Sequence, residues 1–100
     1  MLRNDERLRY ELLVGDELAG YSAYRESDGS AGGRTIFIHT EIDPAFGGRG
    51  LGSVLVRSAL DDVVQRSRVI VPICPFVAKL LRTTSEYDGS VEWPEESPDE

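Results

Sequence analysis

Apolar and polar residues alternate from Leu8 to Val14, where Leu8, Tyr10 and Leu12 interleave with Arg9 and Glu11 before the run turns apolar. Period two predicts a half-buried strand. Gly15-Asp16 supplies a tight turn, and Leu18 to Glu26 returns as the second arm of a hairpin. Tyr21 and Tyr24 on that arm are read as strand aromatics packed on the sheet faces. The composition of Ser27 to Gly33 predicts a loop, and Thr35 to Ile42 forms the third and most hydrophobic strand. Met1 to Arg7 is polar and is expected to fray.

After Ile42 the period changes. At ~100° per residue, Leu55, Val56, Ala59, Leu60, Val63 and Val64 gather on one half of a helix. Arg57, Ser58, Asp61, Asp62, Gln65 and Arg66 take the other half. The pattern predicts a helix from Gly50 to Ser67 that packs one face on a sheet and leaves its first turn free. Arg68 to Ile73 is short and apolar, the form of a strand buried on both faces. Coming after strand and helix, it is expected to run parallel to the third strand through a right-handed crossover. Cys74-Pro75-Phe76 ends it, with Pro75 suited to the first turn of a second helix reaching Arg82. Thr83 to Gly89 closes the fold as a turn anchored by Tyr87. Antiparallel strands before any long helix give the class α+β.

Length and charge narrow the picture. One hundred residues make one domain. Of the formal charge of −7, Glu92, Glu95, Glu96, Asp99 and Glu100 supply five, which leaves −2 on residues 1–91. The domain is therefore expected over 1–91, with 92–100 an acidic, disordered tail. Without a basic stripe, nucleic acid is not an expected partner. A single cysteine excludes an internal disulfide and fits a reducing cytosol. No apolar run approaches the ~18 residues of a membrane span, and the first six residues lack a signal-peptide core. The expectation is a cytoplasmic protein without a membrane partner. A domain this small gains stability from dimerising, so a homodimer is a further expectation.

The chemistry centres on Asp43 to Ser53. Gly47, Gly48, Gly50 and Gly52 lie between a strand and a helix, where unpaired backbone N–H groups and the helix dipole make an anion cradle. Two nucleotide loops are excluded. Gly47 to Gly52 has the outer glycines of Gly-x-x-x-x-Gly-Lys-Ser/Thr, but position 53 is Ser and no Lys follows. Gly48 and Gly50 would need a third glycine at 53 to make the dinucleotide fingerprint.

The order Gly48-Arg49-Gly50-Leu51-Gly52 resembles instead the acetyl-CoA pyrophosphate loop of the GNAT superfamily of N-acetyltransferases, Gln/Arg-x-x-Gly-x-Gly/Ala, with Gly47 at the Gln/Arg position. His39-Thr40-Glu41-Ile42-Asp43-Pro44-Ala45-Phe46, Cys74-Pro75-Phe76-Val77 and Glu86-Tyr87 extend the resemblance to the minimal Yjdj-type GNAT proteins, over Leu8 to Val91. Thr83-Thr84-Ser85 stands where that group has a basic residue and His-Pro. The resemblance implies acetyl-CoA-dependent transfer to an amine acceptor, of a small molecule or a protein. Gly47, Gly48, Arg49, Gly50, Leu51, Gly52 and Ser53 would hold the pyrophosphate, and the Ile42 N–H would meet the thioester carbonyl. The amine must lose a proton, for which His39 and Glu41, two apart on one strand and so on one face, are the candidate bases. Cys74 ends the strand parallel to that of His39, so both are expected to face one cleft, with the thiol a candidate nucleophile and His39 its base. The resemblance also marks Cys74 as a candidate active-site residue, and the competing reading is a buried small hydrophobe. The competing function is a module that binds CoA without turnover, since the group lacks the first helices of full-length enzymes.

Overall fold

The computed structural model describes residues 1–29 and 32–94. Its five-stranded sheet runs in the order β1 (Leu2–Asn4), β2 (Arg9–Val14), β3 (Glu17–Gly29), β4 (Gly32–Ile42), β5 (Val69–Pro72). The first four strands are antiparallel, and β5 pairs parallel to β4 after the helix α1 (Leu51–Gln65). A second helix, α2 (Pro75–Arg82), follows β5. The α+β class and the parallel last strand agree with the sequence reading.

Both helices lie on one face of the sheet. Leu55, Val56, Ala59, Leu60 and Val63 of α1 are fully buried against Tyr10, Tyr24 and Phe37, and Val77 and Leu81 of α2 join the same cluster. The three rings form a triangle with centroids 5.2, 6.1 and 6.5 Å apart. Buried tyrosines need partners for their hydroxyls. The Tyr10 hydroxyl donates to Asp62 at 2.7 Å, that of Tyr24 to Asp5 at 2.9 Å and that of Tyr87 to Asp61 at 2.7 Å. The Tyr87 hydroxyl is pushed up from 10.0 to about 12, by burial first and then by its bond to Asp61; Tyr10 and Tyr24 shift the same way. A group whose folded value is raised contributes stability fully below its unfolded value and loses it as pH rises through the folded one. Stability is therefore expected to fall between pH 10 and about 12. A Tyr87→Phe variant should lose about 0.5–1.5 kcal/mol at neutral pH and show a shallower alkaline limb, read by urea unfolding at each pH.

Two segments differ from the sequence reading. The N-terminal residues pair as β1 rather than fray, because Arg3 reaches Asp62 and Asp5, each at 3.0 Å. Residues 27–29 and 32–33 continue β3 and β4 rather than loop out; Ser30 and Ala31 lie outside the described residues. Arg68 fixes this extension: its guanidinium donates to Asp28 at 3.0 Å, Thr35 at 3.0 Å and the Arg34 carbonyl at 2.8 Å, and it occupies the space a Cβ on Gly33 would need. Past α2, Val91 bridges to Ile70, the Glu92 N–H donates to the Ile70 carbonyl at 2.8 Å, and Arg82 stacks over Trp93 at 4.9 Å. Of the acidic tail expected over 92–100, residues 95–100 lie outside the described residues. No helix among the described residues is long and apolar enough to cross a membrane.

A bulge at Ile38 decides which side chains face the helices. Tyr24 stands opposite Phe37, yet Ala23 stands opposite His39, so one extra residue of β4 lies between. Thr35 and Phe37 face α1 before the bulge; Thr40 and Ile42 do so after it. His39 and Glu41 point out from the other face, which carries no helix among the described residues.

Candidate active site

The strands β4 and β5 part at the site. Their last register pair is Phe37 with Pro72. The Phe37 carbonyl then accepts from both Ile73 and Cys74, at 3.0 and 2.8 Å, which turns the chain away into α2. Residues 38–42 of β4 thus have no strand beside them on that edge among the described residues. The Asp43 N–H donates to Ala19 on the β3 side at 2.8 Å. Backbone groups alternate along a strand, so the Ile42 N–H points into the gap.

The glycine loop follows at once. Asp43 caps a short 3-10 turn, Pro44–Phe46, by accepting from Ala45 N–H at 2.9 Å. Gly48 and Gly50 have φ of +79° and +72°, a conformation that favours glycine. Space above both is open, with no atom within 4 Å of an added Cβ. Gly50 is the N-cap of α1 and brings no side-chain cap, and the first turn has no acidic residue. Its leading N–H groups are free for an anion. Gly52 has a different reason: a Cβ there would lie 2.7 Å from the Phe76 ring and 3.6 Å from Ile42. Arg49 stacks its guanidinium over Phe46 at 5.5 Å, beside the loop. Between the first turn of α1 and α2 lies a cavity of 310 Å³ lined by Ser53, Phe76, Lys79, Leu80 and Thr83.

On the other face, His39 Nε2 lies 3.1 Å from Glu41 Oε1, and both side chains are more than half exposed. Tyr21, the register partner of Glu41, places its ring 6.0 Å from that of His39. Loop, Ile42 amide, His39 and Glu41 therefore converge on one end of β4, from opposite faces of the sheet.

Cys74 is not part of that convergence. It is 3 % exposed, and its thiol lies 3.5 Å from Thr40 Oγ1, which in turn bonds Ser22 at 2.9 Å on the helix face. His39 sits one residue before Thr40 and points the opposite way. The expected pairing of Cys74 with His39 in one cleft is thus corrected: the Phe37 carbonyl, accepting twice, turns the chain so that the thiol lies buried on the helix face while His39 points out from the other. A Cys74→Ala variant is expected to lose about 1 kcal/mol of stability and to retain acetyl transfer, measured by urea unfolding and a thiol-release assay. Sequence reasoning missed Phe76, Lys79 and Thr83 as walls of the cavity beside the loop. Only Lys79, basic and on the second helix, left a signal there.

The GCN5-related N-acetyl-transferase family model matches residues 9–90. The chain belongs to that family. Solved structures of GNAT proteins share the fold. A ribosomal-protein-alanine N-acetyltransferase from Brucella melitensis superposes with a TM-score of 0.61 at 19% identity, over 87% of this chain and 62% of its own. A GCN5-like protein from Staphylococcus aureus gives 0.64 at 17% identity, over 91% and 87%. An aminoglycoside acetyltransferase from an uncultured soil sample gives 0.55 at 14%, over 85% and 57%. The chain thus spans less than two thirds of the length of the Brucella and soil enzymes. A search of the curated proteins finds no match.

Proposed function

We propose that this GNAT domain transfers an acetyl group from acetyl-CoA to a primary amine. One observation carries the reading: the Ile42 amide faces the β4–β5 gap with the glycine loop over it on one face and Glu41 and His39 on the other. The open space above Gly48 and Gly50, the uncapped first turn and the basic residues Arg49 and Lys79 suit a pyrophosphate and the remainder of CoA. Acetyl-CoA supplies the activated thioester.

The chain's residues would divide the work as follows. Backbone N–H groups from Gly48 to Ser53 hold the phosphates, and the Ile42 N–H donates to the carbonyl oxygen as charge develops on it. A lysine-like amine, with a reference pKa of ~10.4, arrives protonated. Glu41 takes that proton, with His39 hydrogen-bonded to it, and passes it to solvent. The freed nitrogen forms its bond to the carbonyl carbon, the carbon–sulfur bond breaks, and sulfur leaves with a proton from the attacking nitrogen. Direct transfer is favoured over an acetyl-cysteine because the Cys74 thiol is buried and lies on the face opposite His39, the base it would need. Incubating the chain with acetyl-CoA and an amine, and measuring free thiol together with the mass of the acetylated amine, tests this. Equal amounts of both products are expected; saturable CoA binding without either product would make the protein a CoA-binding module.

A further inference from the structure

The face of the sheet opposite the helices carries a second cleft, of 150 Å³, lined by Leu18, Gly20, Tyr21, Glu41, Asp43 and Pro44. Its place is set by backbone geometry. Gly20 lies in the lining through its backbone; an added Cβ would point to the helix face, where it would strike Ile42 and lie 2.6 Å from the Glu41 carbonyl. Glu41 and Asp43 flank Ile42 in sequence, and both line the cleft.

The lining has a definite chemistry. It contains two carboxylates and no basic side chain. Outside the lining, the Arg9 guanidinium is engaged by Glu11 at 2.7 Å and stacks over the Tyr21 ring at 4.8 Å. Asp43 commits Oδ1 to the Ala45 N–H and leaves Oδ2 free. Leu18 and Pro44 supply apolar walls. Carboxylates at one end and apolar walls along the side match a protonated amine on a hydrocarbon stem. The volume of 150 Å³ is about half the ~300 Å³ at which pockets for whole small molecules begin, so only a slender end of the acceptor enters.

We propose that this cleft is the acceptor site and that it selects a primary amine on an unbranched alkyl stem, as carried by a lysine side chain or a linear polyamine. Asp43 holds the ammonium, Tyr21 and Leu18 line the stem, and Glu41 takes the proton. The proposal rests on the acetyl-transfer reading.

The test uses three acceptors with the full chain and acetyl-CoA: Nα-acetyl-lysine methylamide, spermidine, and kanamycin, whose amines are mounted on or next to rings. Acetylation is read by mass, and binding is read separately by amide shifts of the protein titrated with the lysine probe alone. The lysine probe or spermidine is expected to be acetylated well ahead of kanamycin, the better of the two telling the natural source. Asp43→Asn keeps the cap acceptor for Ala45 and removes the charge; it should raise KM for the amine about tenfold, more than it lowers kcat, with CoA affinity unchanged. Tyr21→Ala should raise KM as well, and shifts should centre on Leu18, Tyr21, Glu41 and Asp43. Kanamycin as the best acceptor, an unchanged KM in both variants, or CoA binding without acetylation of either slender amine overturns the proposal. If acetyl-CoA fails to bind, the acetyl-transfer reading falls, and the shift titration still decides the cleft: shifts at those four residues sustain it as an amine site, and their absence removes it.

Discussion

Replacing Gly50 with valine is expected to abolish CoA binding at concentrations that saturate the wild type. Two effects act together. The residue sits at φ +72°, where a β-branched side chain is strained by about 1–3 kcal/mol. The new side chain also enters the open space above the loop, which phosphate oxygens must reach. Each hydrogen bond to a charged group is worth about 1.5–3 kcal/mol, so losing two weakens binding by about 100-fold or more. Strain of that size does not unfold a domain of ordinary stability, ~5–15 kcal/mol. Calorimetric titration of both proteins, with urea unfolding as the folding control, measures the effect. Binding by the variant within a few-fold of wild type would remove the loop from the CoA site.

Glu41→Gln is expected to lower kcat/KM by about 10²–10⁴-fold, the usual contribution of a positioned base. Glutamine keeps the size of the side chain and a hydrogen bond to His39 but takes no proton from an ammonium. Glu41 is on the exposed face and supports no core contact, so stability and CoA affinity should not change. The loss should shrink as assay pH approaches the amine's own ~10.4, where less of the acceptor needs deprotonating. A pH–rate profile of both proteins reads this directly. A variant as fast as wild type at neutral pH would assign the proton to another group.

Much of the fold could be read locally. The alternation at β2, the helical period of α1 and the apolar run at β5 each depend on a few neighbouring residues. β1 did not, because two of its three residues, Arg3 and Asn4, are polar and its ties run to Asp62 and the β2 backbone. The far ends of β3 and β4 read as loop because Ser, Asp and Gly dominate there, and the pairing that overrides composition depends on Arg68, forty residues beyond Asp28. The glycine loop was legible as an anion cradle, since positive φ and the missing cap are local properties. The cavity beside it was not, because it exists only where Phe76 of α2 meets Gly52 of α1. Cys74 shows the same limit. Its neighbours Ile73 and Pro75 admit a buried and an exposed thiol alike, and its placement is set by the Phe37 carbonyl, which turns the chain and buries it.

Meeting of the two half-sites at Ile42 is tested most directly by titrating isotope-labelled protein with CoA and with acetyl-CoA and following the backbone amides. Both ligands should shift Gly48 to Ser53 and Lys79, and acetyl-CoA alone should add a large shift at the Ile42 N–H as its carbonyl takes up that hydrogen bond. Saturable shifts confined to residues away from β4 and the glycine loop, or none with either ligand, would contradict acetyl transfer at this site.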